Sequence, residues 1–396
     1  MEAINLERLK RHLLELAEIG KDDTGGVSRL AYSKEYYHGI ELIKKWMEEA
    51  SLSVKTDAVA NVLGTRKGKT DRIMIIGSHT DTVEHGGIFD GCLGVLGAIE
   101  ALKVIDEAGI ELEHTVMVAN WAEEEGNVIK GLIGSGSFVG KMEDSIPAIA
   151  EKLKAYGITP EDIRKSKFED LDKVEKYLEL HIEQGGVLEK KKKDIGIVSS
   201  IVGEERYMVT VLGKENHAGT TPMEYRDDAL IKAAEMMLKL NKKCRQIDNT
   251  MVVTVGWIRA FPGEQNIIPG KVKMTVEVRS VRDESIRKLV DYMKQLCGEY
   301  NCSYEQTLAQ NPTFMSSTLM ETVKEAADDL GLSSMVMQSG AGHDAMMIAN
   351  VIKDTGMIFT PSVNGVSHCP EEWTEWSDVE KSVNVLLNTI LKLDKK

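Results

Sequence analysis

Arg72–Ser78 reads RIMIIGS and runs into His79-Thr80-Asp81, and Val116–Trp121 reads VMVANW and runs into Ala122-Glu123-Glu124-Glu125. Both runs are short and almost wholly apolar, the pattern of strands buried on both faces. Between them, Val95–Ile105 has the composition of a helix. Strand, helix, strand predicts an α/β layer with a largely parallel sheet. His79 and the acidic string then stand at strand carboxyl ends, where open α/β sheets bind their ligands.

Outward from this core, residues 6–17 place Leu6, Leu9, Leu13, Leu16 and Ala17 on one helical face. The middle of the chain changes character. Tyr207–Leu212, Met251–Ile258 and Val272–Val281 read as strands. In the last, Val272, Met274, Val276 and Val278 alternate with Lys273, Thr275, Glu277 and Arg279. A period of two means one buried and one polar face, as in an open antiparallel sheet. Ala229–Leu240, capped by Asp227 or Asp228, and Ser285–Cys297 read as helices in this α+β insertion. The α/β framework resumes near Gln310–Ser316. There Thr318-x-x-Glu321 reads as a capping box, and Ser377–Leu393 as a terminal helix.

The chain has 396 residues, with 49 Lys+Arg against 63 Asp+Glu, for a formal charge of −14. Its length suggests two or three domains. The acidic balance argues against nucleic acid or anionic membrane as the main partner. No apolar run approaches the ~18–20 residues of a membrane span. Met1-Glu2-Ala3-Ile4-Asn5 lacks the features of a secretory signal. The five cysteines are scattered without a CxxC pair, so reduced thiols and a cytoplasmic location are expected. Lys190–Lys193 reads as a solvated turn. Gly134-Ser135-Gly136-Ser137-Phe138-Val139-Gly140 is one position off the dinucleotide pattern and reads as a packing turn.

Five segments carry ligand-type side chains: His79-Thr80-Asp81, Asp90 among glycines before the helix, Glu123-Glu124-Glu125, His181 in LHIEQG, and His368 in a Gly/Ser/Pro-rich loop. Taken singly, each has an ordinary reading. His79 could be a capped surface histidine, Asp90 a helix cap, and the acidic string a solvated loop. His181 and His368 could be structural. Together, His79, Asp90, Glu125, His181 and His368 are three imidazoles and two carboxylates. One shared carboxylate could bridge two metal ions, as in two-metal hydrolases. Imidazole with carboxylate suits Zn²⁺ or Mn²⁺. Glu124, beside Glu125, would be the carboxylate left over as general base.

At this point the chain resembles the dinuclear M20 metallopeptidase superfamily, and within it the N-carbamoyl-L-amino-acid hydrolase and allantoate amidohydrolase branch. The resemblance is carried by Gly77–Val83, Gly86–Gly94, Glu123–Gly126, Leu180–Gly185, Asn216–Met223, Asn266–Gly270, Ser339–Ala345 and Pro361–Pro370. They span nearly the whole chain in family order. Asn127-Val128-Ile129 departs from an Arg-Phe pair common in the family, and Cys369 stands where relatives often have Asn.

The resemblance implies a catalytic α/β domain over 1–199 and 313–396, its mostly parallel sheet flanked by helices. It implies an inserted α+β lid and dimerisation domain over 200–312 with an open antiparallel sheet. Two divalent ions, Zn²⁺ or Mn²⁺, are implied: His79 and His181 on one, Glu125 and His368 on the other, and Asp90 bridging. Asp81 becomes the partner of His79, Glu124 the base and His217 the lid donor to the oxyanion. Gln184, Asn266 and Arg279 become substrate contacts. Arg279 also follows from its place on the polar face of its strand, since a guanidinium fork matches a carboxylate. The expected activity is hydrolysis of the ureido C–N bond of N-carbamoyl-L-amino acids by a homodimer. The nearest alternative is allantoate amidohydrolysis. More distant are an aminoacylase or dipeptidase, and a binding protein without catalysis, which would have no need of Glu124.

Overall fold

A computed structural model of the chain describes residues 2–395. It divides into two compact units, Met1–Ser199 with Phe314–Lys396, and Ser200–Thr313.

In the first unit the central strands run in the order Val62–Arg66, Thr115–Trp121, Ile73–His79, Val174–Ile182, Asp354–Thr360. The last four are mutually parallel, and Val62–Arg66 joins antiparallel. Ile73–His79 is buried at every position, which is why its sequence shows no alternation. The helix Cys92–Glu107 is apolar on nearly all sides and is buried from Cys92 to Leu102. It packs on the strand Ile73–His79 and against the terminal helix Trp376–Leu393. The mostly parallel sheet expected from the two apolar runs is therefore the architecture found.

In the second unit an antiparallel sheet runs Ile258–Phe261, Lys271–Ser280, Gly203–Leu212, Cys302–Gln310. Val272, Met274, Val276 and Val278 face the core with Tyr207, Val209 and Val211. The helices Ala229–Ile247 and Asp283–Glu299 cover that face through Ala233, Met236, Leu240, Leu289 and Met293. Asp228 caps the first of them, accepting from the N–H groups of Leu230 and Ile231.

Three local expectations differ. Met251–Ile258 is not one strand but parts of two, Val252–Thr254 and Ile258–Phe261. Between them Trp257 leaves strand geometry and exchanges hydrogen bonds with Thr275, to its backbone N–H and its hydroxyl. The Thr318–Glu321 capping box does not form, because the helix starts earlier, at Ser317, with Ser316 as its cap. The glycine string forms a short buried helix, Ile133–Phe138, rather than a turn. Lys190–Lys193 lies at the end of the short helix Val187–Lys191, with Lys190, Lys191 and Lys192 exposed.

Candidate metal centre

The carboxyl ends of four parallel strands and the start of one helix meet at one place. His79 closes its strand, Glu123–Glu125 follow Thr115–Trp121, and His181 is the penultimate residue of Val174–Ile182. His368 lies in the loop after Asp354–Thr360, and Asp90 stands just before the helix Cys92–Glu107. The strands thus serve as fixed posts, with the ligand-type residues at their carboxyl ends or in the loops that follow.

Asp90 is the hub. Its Oδ1 is 3.1 Å from His181 Nε2 and 3.8 Å from His79 Nε2. Its Oδ2 is 3.1 Å from His368 Nε2, and that nitrogen is 3.6 Å from Glu125 Oε2. Two groups of converging ligand atoms result, His79–Asp90–His181 and Asp90–Glu125–His368, and they share Asp90. Glu124 Oε2 lies 3.7 Å from His79 Nε2, which makes a third group with His79 and Glu125. His368 is half-exposed (49%) while Asp90 and the other two imidazoles are buried, so the centre opens to solvent on the His368 side.

The protonation pattern is that of a cation site. His79 Nδ1 lies 3.0 Å from the Asp81 carbonyl oxygen and His181 Nδ1 2.9 Å from that of Ile182. A carbonyl can only accept, so each Nδ1 carries hydrogen and each neutral ring turns a lone pair from Nε2 toward the Asp90 carboxylate. Lone pair against carboxylate is repulsive unless a proton or a metal ion stands between them. Glu125 Oε1 is also buried without a hydrogen-bond partner. A donor set of imidazole and carboxylate with an orphaned oxygen fits a divalent ion.

Electrostatics say the same. Burial pushes Glu124 well above the usual carboxylate range, and Glu125, Asp344 and Asp81 add to it. Burial, then the Asp90 charge, pushes Glu125 up to about 8. Burial would lower His79, but the charges of Glu124, Asp81 and Asp90 outweigh it and hold it high. Burial would raise Asp90, yet the His181 and His368 contacts hold it low. Too many negative charges share too little solvent, and positive charge relieves this.

The surrounding residues set these positions. Asp81, expected as the carboxylate partner of His79, meets that ring through its backbone carbonyl. Its carboxylate also lies 3.6 Å from His79 Nδ1 and accepts from the N–H groups of Glu124 and Glu125 at 3.3 and 3.2 Å. Gln184 donates from Nε2 to Asp90 Oδ2 at 2.9 Å, and its Oε1 is buried without a partner. Gly91 has φ +64°, and a Cβ there would come within 2.4 Å of His79 Nε2, so only glycine leaves the ring its place. Several neighbours were not singled out from sequence. His343 packs edge-on to the His181 ring at 4.4 Å and bonds Ser339 Oγ. Asp344 accepts from Ser135, and Glu179 from Ser78, Tyr177 and the Ala345 N–H. Glu372 accepts from the Asp90 N–H. The acidic pair after His368 and the Asp344 of SGAGHDA were the available signals.

His217, Asn266 and Arg279 belong to the second unit. His217 lies in a two-stranded ribbon, Asn216–His217 against Ile267–Ile268, and the Asn266 carbonyl accepts from the Ala218 N–H. This makes His217 and Asn266 neighbours. His217 Nδ1 accepts from the N–H groups of Gly219 and Thr220 at 3.0 and 3.1 Å. A neutral His217 therefore carries its proton on Nε2, as a donor. Arg279 is ion-paired with Glu277 at 2.7 Å and Glu204 at 3.2 Å, within a network that includes Arg206.

Comparison with known proteins is consistent across sequence and structure. Residues 75–392 match the model of peptidase family M20/M25/M40. An N-carbamoyl-L-amino-acid amidohydrolase of Pseudomonas sp. (strain NS671) is 39% identical over 98% of both chains. An allantoate amidohydrolase of Escherichia coli (strain K12) is 34% identical, over 96% of this chain and 95% of its own. The crystal structure of an amidase of the hydantoinase/carbamoylase family from Burkholderia multivorans superposes with a TM-score of 0.89 at 32% identity, covering 100% of this chain and 99% of that one.

Proposed function

Because the chain belongs to peptidase family M20/M25/M40, we propose that it is a metal-dependent amidohydrolase acting on the ureido C–N bond of N-carbamoyl-L-amino acids. The observation that carries this reading is the sharing of Asp90 between two ligand groups. His79 and His181 would hold one divalent ion and Glu125 and His368 the other, with Asp90 common to both and Zn²⁺ or Mn²⁺ suited to the donors. When bound, such ions supply Lewis acidity that acidifies water and polarises a carbonyl oxygen.

The chain's own residues do the rest. Glu124, beside His79 with its N–H held by Asp81, takes a proton from the attacking water and passes it to the leaving nitrogen. His217, with its proton on Nε2, donates to the developing oxyanion. Gln184 and Asn266 orient the ureido group. Arg279 meets the substrate carboxylate, with part of its charge already balanced by Glu204 and Glu277. One water is consumed, and the amino acid, ammonia and carbon dioxide are released.

We assign Ser200–Thr313 as a lid and dimerisation domain, and a second copy of the chain as its partner. Ile231 and Leu238 on the helix Ala229–Ile247, and Val252 on the strand beside it, are large apolar side chains exposed by more than half, which supports an interface there. No described helix is long and apolar enough to cross a membrane. Five unpaired cysteines accord with a cytoplasmic site of action.

A second reading, allantoate amidohydrolysis, is favoured by the Escherichia coli relative. Ammonia release from a panel of N-carbamoyl-L-amino acids, allantoate and dipeptides separates the two. The proposal expects the highest kcat/KM on a carbamoyl amino acid. Preference for allantoate selects the second reading, and cleavage of dipeptides alone rejects both.

A further inference from the structure

We propose that Glu372 is a positioning residue for the metal centre: one carboxylate ties the Asp90 segment to the His368 loop and so sets Asp90 among the three imidazoles. This rests on the metal-centre reading above. Glu372 Oε1 accepts from the N–H groups of Phe89 at 3.0 Å and Asp90 at 3.1 Å, the former 283 positions away in the chain. Its Oε2 accepts from Ser367 Oγ at 2.7 Å, on the residue before His368. The same hydroxyl lies 3.4 Å from Asp90 Oδ2. Thus both carboxylate oxygens are used, one on each of two segments that carry ligand-type side chains.

Two further observations separate this from an ordinary buried carboxylate. Glu372 is only 3% exposed, so solvent does not take over its contacts. A Cβ on Gly87 would fall 2.1 Å from Glu372 Oε1, so the glycine-rich approach to Asp90 leaves the space this carboxylate fills. The device also recurs in this unit. Asp81 accepts the N–H groups of Glu124 and Glu125, so the backbone under each proposed carboxylate ligand is held by a non-ligand carboxylate. Displacing Asp90 would disturb both ligand groups at once.

The test is Zn²⁺ affinity, measured by competition with a chromophoric chelator, beside the thermal midpoint of the metal-free protein. Glu372→Ala should weaken Zn²⁺ binding about 10–100-fold, as loss of a residue supporting a ligand typically does. Glu372→Gln, whose amide oxygen still accepts the N–H pair and whose amide nitrogen can face Ser367, should recover most of the affinity. Glu372→Asp keeps the charge but not the reach, and should bind weakly like alanine; it serves if the alanine variant does not fold. A lowered midpoint with Zn²⁺ affinity within twofold of wild type, in the alanine or aspartate variant, would make Glu372 merely structural and overturn the proposal alone. Failure of the wild type to bind Zn²⁺ overturns the centre itself, and this proposal with it.

Discussion

Glu124 and Glu125 are adjacent, both half-buried and both pushed to high pKa, yet they face different partners. Glu125 Oε2 reaches toward His368, and Glu124 Oε2 toward His79. The roles assigned to them separate under substitution. Glu124→Gln keeps the size and cannot take the proton, so kcat should fall about 10²–10⁴-fold while bound metal is unchanged. Glu125→Ala should instead lower metal content. Metal analysis and turnover on the same preparations decide the matter, and near-normal turnover in Glu124→Gln would move the base elsewhere, with Glu123 first in line. At this scale His79 and the Glu123–Glu125 string were legible because they sit at strand ends, which apolar runs announce. Glu372 was visible only as part of the acidic pair after His368: its acceptance of backbone N–H groups up to 283 positions away leaves no local pattern.

Elements matter here by what they hold still. Gly91 starts the helix Cys92–Glu107 with a left-handed backbone, hard against His79. Gly91→Ala should therefore fold with a modestly lowered thermal midpoint, yet bind Zn²⁺ or Mn²⁺ markedly less well. Equal metal affinity in variant and wild type would show that the ring has room to move. A second pair of elements carries a pH dependence. His12 on the helix Leu6–Ala17 stacks on Trp46 of Lys34–Glu49, with ring centroids 4.4 Å apart. Burial, then the charges of Arg11, Arg8 and Lys45, push its pKa from 6.5 down to about 4. The depressed value means that the neutral ring stabilises the fold fully above pH 6.5 and that this contribution is lost as pH falls through about 4. His12→Phe keeps the stack and cannot titrate, so its thermal midpoint should drop less than that of wild type between pH 7.5 and pH 5. Parallel drops would remove His12 as a cause. The main elements were readable from period and composition. The division of Met251–Ile258 was not, because the Trp257–Thr275 bonds that cause it are tertiary, and neither was the earlier start at Ser317.

On the scale of the whole molecule, a chain of net charge −14 is proposed to act on anionic substrates. Its overall field disfavours their approach, so capture must depend on local positive charge. In the proposed assignment Arg279 would offer part of this, shared with Glu204 and Glu277, and the crowded carboxylates around Asp90 offer none until cations occupy the centre. Metal would thus be required for the electrostatic coherence of the catalytic unit as well as for its chemistry. The most direct measurement is a titration of chelator-stripped protein with Zn²⁺ or Mn²⁺, following ammonia release from an N-carbamoyl-L-amino acid and bound metal together. Activity should be absent at the start, rise with added metal, and reach its plateau as binding approaches two ions per chain. Full activity in rigorously metal-free protein would contradict the account.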